Sequence, residues 1–258
     1  MSNKREREKR REERLAEETK GRSQGQRKKI LQIGSAAVFI AIAVVVVLIV
    51  AAGGGDDDGG DVQLEEVANV DQLLGGIPQS GMTIGDPKAK VTLIEFGDLQ
   101  CPACAAYADE ILPEVIEGAV KDGKAKLEFR NFTIIGPEST TAGAAAVAAG
   151  EQNRAWQFLD IFYHNQGGEN AGYVTDDFLE AVAKAAGVAD LAKFNEARKS
   201  KAVQKKVAKT VEEAQNFGFS STPSFAVEGP GAQGGIELLS GSQTGSPDAL
   251  EGVIEEAG

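Results

Sequence analysis

Histidine is nearly absent from this chain of 258 residues, with His164 the only copy, and cysteine occurs twice, at Cys101 and Cys104. A histidine-built metal centre needs several imidazoles, and a small secreted scaffold stapled by disulfides needs many more cysteines, so neither class fits. Aromatic residues are scarce at 6%, yet hydrophobic residues reach 42% and charged residues 26%, which is enough for the core of one ordinary domain and excludes global disorder. The net charge of −12 argues against nucleic acid as the main partner, because phosphate binding draws on clustered Lys and Arg.

The positive charge that does exist is concentrated at one end. Residues 1–29 hold twelve Lys or Arg against six Asp or Glu, so a net of −18 must lie in the remainder. This basic segment has almost no bulky apolar residue and cannot build a core; it reads as a tail. Residues 33–52 follow with no charge at all and a run of Val44, Val45, Val46, Val47, Leu48, Ile49 and Val50. As a helix, about twenty residues at about 1.5 Å each cover the hydrocarbon thickness of a bilayer. The reading is an uncleaved transmembrane helix over 30–52. Arg27, Lys28 and Lys29 on one flank and Asp56, Asp57 and Asp58 on the other place the tail in the cytoplasm and everything beyond outside. The sequence GGGDDDGGD at 53–61 is a flexible, self-repelling linker, leaving 62–258 as an extracytoplasmic domain.

Within that domain, 62–74 has helical spacing and 77–87 is a turn-rich lead-in. VTLIEF at 91–96 is apolar on both faces except at Glu95, the pattern of a strand inside a sheet. A helix that Pro113 can kink and an alternating strand at 126–135 complete a βαβ unit. Helical stretches at 140–165, 176–186 and 190–217 form an insertion over about 138–217, followed by strands at 224–228 and 236–240 and a last helix at 247–257. The expected fold class is therefore α/β, a small sheet with an inserted helical subdomain, preceded by one transmembrane helix.

Both cysteines sit in Cys101-Pro102-Ala103-Cys104, where a strand ends and a helix begins. Unpaired amides and the helix dipole stabilise an anion there, so the Cys101 thiol is expected to be acidic, with a pKa of about 4.5 to 7. Pro102 suits the first helical position, and Cys104, one turn on, can pair with Cys101 or attack a mixed disulfide formed on it. A structural staple over so short a loop would stabilise by only about 2 kcal/mol, and a metal site lacks further ligands. Redox chemistry is the favoured reading of the three, with no cofactor and no metal required.

The run IGDPKAKVTLIEFGDLQCPAC and the downstream FSSTPSFAVEG resemble the DsbA-like thiol-disulfide oxidoreductases of the thioredoxin superfamily, especially the membrane-anchored forms. The resemblance covers 77–258 and implies a thioredoxin fold, Cys101 as nucleophile and Cys104 as resolving thiol. It matches Thr222-Pro223 to the family's cis-proline loop and Glu95 to its acidic residue six positions before the first cysteine; Glu95 reads either as a half-exposed edge residue or, if buried, as the proton acceptor for Cys104. It implies exported cysteine-containing proteins as substrates and a membrane quinone-linked reoxidase of the DsbB or vitamin K epoxide reductase type. Ala103 stands where the strong oxidases carry histidine, which leaves a reductase or isomerase direction open. A non-catalytic envelope binding module is the rival from another class. Asp98 reads as a turn residue whose charge opposes the thiolate, and His164 as a polar residue at a helix end.

Overall fold

In the computed structural model of the protein, which describes residues 62–258, helix α1 (Val67–Leu74) leads into a hairpin of β1 (Gln79–Ser80) and β2 (Thr83–Ile84). The turn residues of 77–87 thus make strands too: Gly81, at φ 61°, supplies the conformation that a two-residue hairpin turn needs. Next come β3 (Val91–Gly97), α2 (Pro102–Glu110), α3 (Leu112–Val115) running into a wider turn at Ile116–Val120, and β4 (Ala125–Asn131). Pro113 marks the junction of α2 and α3, as expected of a helix interrupted by proline.

Five helices separate β4 from the last strands: α4 (Pro137–Gly150), α5 (Ala155–His164), α6 (Asp176–Ala185), α7 (Leu191–Lys199) and α8 (Lys201–Asn216). Two of the long periodic stretches are each split. Asn153, at φ 58°, breaks 140–165, and Ser200 breaks 190–217 by turning outward to cap α8, its hydroxyl accepting from the Val203 amide at 3.2 Å. The chain closes with β5 (Ser224–Glu228), β6 (Ile236–Leu238), α9 (Gly241–Thr244) and α10 (Pro247–Ala257).

The sheet runs β1-β2-β4-β3-β5-β6, with β3 and β4 parallel and every other pair antiparallel. This mixed sheet with its helices is a thioredoxin-like α/β fold. β3 lies between β4 and β5 and is buried along its whole length, which is why its sequence is apolar on both faces. Val91 and Leu93 face a core formed with α1, α2, α3, α5 and α10. Ile94 and Phe96 face a second cluster with Phe132, Ala214 and Ala226, where Phe217 and Phe219 stand 5.9 and 5.2 Å from the Phe96 ring. Burying a side chain such as Phe96 stabilises by about 2 to 3 kcal/mol.

Among the described residues no helix is long and apolar enough to cross a membrane. The tail at 1–29, the transmembrane helix at 30–52 and the linker at 53–61 lie outside the described residues.

Candidate active site

The end of β3 is held by an acid that the sequence reading took for an ordinary turn residue. Asp98 is fully buried. Its Oδ1 accepts from the Gln100 amide at 2.9 Å, and its Oδ2 accepts from the amides of Ile134 and Ile135 at 2.9 and 3.1 Å. Those two amides are therefore unavailable to a strand, and β4 stops at Asn131 rather than at 135. The Asp98 carbonyl accepts from the Cys101 amide at 2.9 Å and from the Tyr163 hydroxyl at 3.4 Å. The carboxylate thus positions the loop, and it does not figure among the groups that move the acidity of Cys101. Gln100 and Gln166 complete the support. Gln100, buried, donates to Ser139 Oγ at 2.9 Å, and Gln166 donates to the carbonyls of Leu99 and Cys101 at 2.7 and 3.2 Å.

Cys101 caps α2 from an extended conformation, with Pro102 at the first helical position. Its carbonyl accepts from the amides of Cys104 and Ala105, both at 3.1 Å. Both cysteines are free thiols, and they differ in access: Cys101 retains 7% of its surface and Cys104 none, while Pro102 and Ala103 are exposed. The hydrogen bond from the Cys104 thiol is the largest cause bringing the Cys101 pKa down to about 6. Burial opposes that fall; Thr222 and the amides of Cys104 and Ala103 reinforce it. The helix-start amides named from the sequence therefore contribute, but the partner thiol contributes more. The Cys104 thiol is held well above its ordinary range, first by burial and then by its bond to Cys101.

Thr222 and Pro223, 121 and 122 positions beyond Cys101, come to the same place. The peptide between them is cis, and the Cys101 Sγ donates to the Thr222 carbonyl at 3.4 Å. Both residues are half-buried and lead into β5, whose Phe225 is paired across the sheet with Glu95. Phe225 also stacks on Tyr107 of α2 at 4.6 Å between ring centres, which ties the proline loop to the cysteine helix.

Glu95 points into the core rather than to an edge, with 4% exposure, and its Oε1 has no hydrogen-bond partner among the described residues. Burial, and secondarily the charge on Cys101, push its pKa up to about 8. Close packing is kept by Gly97: a Cβ there would stand 2.5 Å from the Phe129 ring and 3.1 Å from Glu95 Oε1. The structure thus gathers Cys101, Cys104, Glu95, Thr222 and Pro223, with Pro102 and Ala103 forming the exposed rim.

Sequence reasoning missed Gln100 and Gln166 and gave Asp98 a different role. It also passed over Asp160, an acid within the apolar run of α5. The signal that singled out Glu95, one carboxylate in an apolar segment, is present at Asp160 as well.

A dithiol at the start of a helix, facing a cis-proline loop above a buried acid, on a thioredoxin-like sheet, defines a redox-active thiol protein. A family model described as thioredoxin matches residues 78–238, and the chain belongs to that family. Over 150 residues the chain is 33% identical to the "Probable disulfide bond formation protein D" of Bacillus cereus, spanning 57% of this chain and 69% of that protein. The crystal structure of oxidised BdbD from Bacillus subtilis shares the fold, with a TM-score of 0.59 at 21% identity over 70% of this chain and 96% of that one. Pseudomonas aeruginosa DsbA2 shares it with a TM-score of 0.52 at 22% identity, covering 70% and 95%. Within its family the protein is a DsbA-like thiol-disulfide oxidoreductase, an enzyme that exchanges disulfides with cysteine-containing proteins.

Proposed function

We propose that the protein is a membrane-anchored, extracytoplasmic oxidase that introduces disulfides into exported proteins through Cys101 and Cys104. The asymmetry of the pair carries this reading: an acidic thiol that keeps a small part of its surface beside Thr222, and a fully sealed thiol beside it. In the oxidised enzyme a substrate thiolate attacks Cys101 Sγ. The Cys101–Cys104 bond breaks, its electron pair leaves on Cys104, and Glu95, held protonated near neutral pH by burial, gives that sulfur its proton. A second substrate thiolate then attacks the substrate sulfur of the mixed disulfide, and Cys101 departs as a stabilised thiolate. The substrate loses two electrons and the enzyme gains them. Thr222 and Pro223 line the position where the mixed disulfide forms, with the Thr222 carbonyl already against Cys101.

Reoxidation by a membrane quinone-linked partner of the DsbB or vitamin K epoxide reductase type runs the other way. Cys101 thiolate attacks the partner's disulfide, and Cys104, giving its proton to Glu95, displaces the partner sulfur. An anchor at 30–52 with the tail at 1–29 in the cytoplasm would hold the domain beside such a partner, and the linker at 53–61 would give it reach.

The test of the cysteine roles is trapping. Cys104→Ala should accumulate mixed disulfides with exported proteins and Cys101→Ala should not; equal trapping by both removes the assignment. Protease added to intact spheroplasts should release the domain beyond Ala52 and spare the tail. Loss of the tail instead would reverse the orientation.

A further inference from the structure

Beneath Glu95 lies a cavity of about 20 Å³, room for one water molecule, enclosed by α1, α3, α5 and the sheet. Leu73, Leu112, Ile116 and Phe129 make most of its wall apolar. Two carboxyl groups nevertheless line it, Glu95 from β3 and Asp160 from α5. Asp160 is largely buried and lies against His164. The His164 ring stands 3.5 Å from Asp160 Oδ1 through Nδ1 and 3.5 Å from Asp109 Oδ1 through Nε2. Nδ1 also lies 2.9 Å from the Asp160 carbonyl. Asp109, on α2, is exposed, with 70% of its side chain in solvent. Glu95 and Asp160 thus share the cavity, and His164 bridges Asp160 to the exposed Asp109, so polar groups lead from the cavity to the surface. Of the titratable groups around it, Tyr163 also reaches the cavity, but its hydroxyl donates to the Asp98 carbonyl and both burial and neighbouring charges keep it protonated.

We infer that Asp160 is the relay through which Glu95 exchanges its proton with solvent, across one water held in the cavity. The inference rests on the reading of Glu95 as the proton partner of Cys104. Once Glu95 has given up its own proton along this path, Cys104 attacks the mixed disulfide on Cys101 and its proton passes to the Glu95 carboxylate. Glu95 then hands a proton to the cavity water as that water gives one to the Asp160 carboxylate, and Asp160 releases it at the His164 and Asp109 mouth. The electron pair of the new Cys101–Cys104 bond comes from Cys104, the bond between Cys101 and the partner sulfur breaks with its pair leaving on that sulfur, and the one proton of Cys104 ends in solvent. During substrate oxidation the same path runs inward. Without such a path Glu95 is walled by apolar side chains, and each turnover must wait for a proton to cross them. Asp160 acts only through Glu95 and touches neither cysteine nor substrate. Burial holds Asp160 at about 6, with Asp109 pushing the same way and His164 opposing, so near neutral pH it is mostly ionised and able to accept from Glu95, whose pKa is about 8.

The experiment follows closure of the Cys101–Cys104 disulfide in the full-length chain after forming the glutathione mixed disulfide on Cys101, so that Cys101 itself does not titrate. Asp160→Asn should slow closure about tenfold near pH 7, Asp160→Glu should restore it, and neither should move the Cys101 thiolate titration. In a Glu95→Gln background Asp160→Asn should add nothing, because the relay has lost its source. Closure in the unaltered chain should rise steeply with pH below about 6, where both carboxyls must lose a proton before the path can run, and less steeply from there to about 8, where only Glu95 must; this profile decides the matter even should Asp160→Asn fail to fold. Wild-type closure in Asp160→Asn with slow closure in Glu95→Gln overturns the relay and leaves Glu95 in place. Wild-type closure in Glu95→Gln overturns both, and additive losses in the double variant make Asp160 a structural residue only.

Discussion

On the face of the sheet that carries Phe96, one arginine gathers three carboxylates. Arg130 meets Glu128 at 2.9 Å, Glu213 at 2.7 Å and Glu228 at 3.9 Å, and its guanidinium lies 5.7 Å from the centre of the Phe96 ring. On the opposite face, Glu95 has among the described residues no cation beside it and one unbonded oxygen, and it borders a cavity. The paired acids have an evident structural use, since they fix α8 and β5 against β4. The unpaired acid destabilises the fold and sits next to the reacting sulfurs. An uncompensated carboxyl on one face and compensated ones on the other separate the part of the sheet that does chemistry from the part that holds it.

The largest expected effect concerns that cost. Glu95 has a folded pKa of about 8 against an ordinary 4.5, so its contribution is fully favourable below pH 4.5 and is lost as pH rises through 8. At pH 7 the reduced protein carries a penalty of about 3 kcal/mol. Glu95→Gln should therefore raise denaturant stability by about that amount at pH 7 and by nearly nothing at pH 4. A stability gain independent of pH would mean that the group is not a titrating carboxyl.

Arg130→Ala should do the reverse on the other face, destabilising by about 2 kcal/mol, because it strands partly solvated carboxylates and strips the contact with Phe96. The reduction potential should stay where it was. A shifted potential would mean that the two faces are not separate.

A smaller effect follows from the acidity of Cys101. Its folded pKa, about 6 against an ordinary 9, favours the reduced fold, fully so above pH 9 and progressively less as pH falls through 6. At pH 7 this amounts to about 1.4 kcal/mol, or roughly 30 mV in the potential. The potential should fall by about 59 mV per pH unit below pH 6, where both thiols bind protons, and by about 30 mV above it, where only Cys104 does. An unbroken slope across pH 6 would leave the redox poise without a thiolate contribution.

How much of this could be read from the residues varied with distance along the chain. The β3 segment was legible because burial on both faces writes itself as an unbroken apolar run, and Glu95 stood out against it. The cysteine motif was legible because strand, proline and helix spacing are local. Asp98 was not, since the amides of Ile134 and Ile135 that it binds lie 36 and 37 positions away and nothing near it announces them. The β1 and β2 strands, two residues each, are too short for a period to register. Asp160 was hidden by helical geometry: a lone acid in a helix usually faces water, and α5 is buried around nearly its whole circumference.

The reactivity of the site rests on the acidity of Cys101 and its origin in Cys104. The rate of alkylation of Cys101 in the reduced protein should be followed against pH and compared with Cys104→Ala. A midpoint near pH 6 that moves upward when Cys104 is removed is the result expected. A midpoint near the ordinary value of about 9, or one unchanged in Cys104→Ala, would contradict the claim that the sealed thiol makes its more accessible partner a nucleophile.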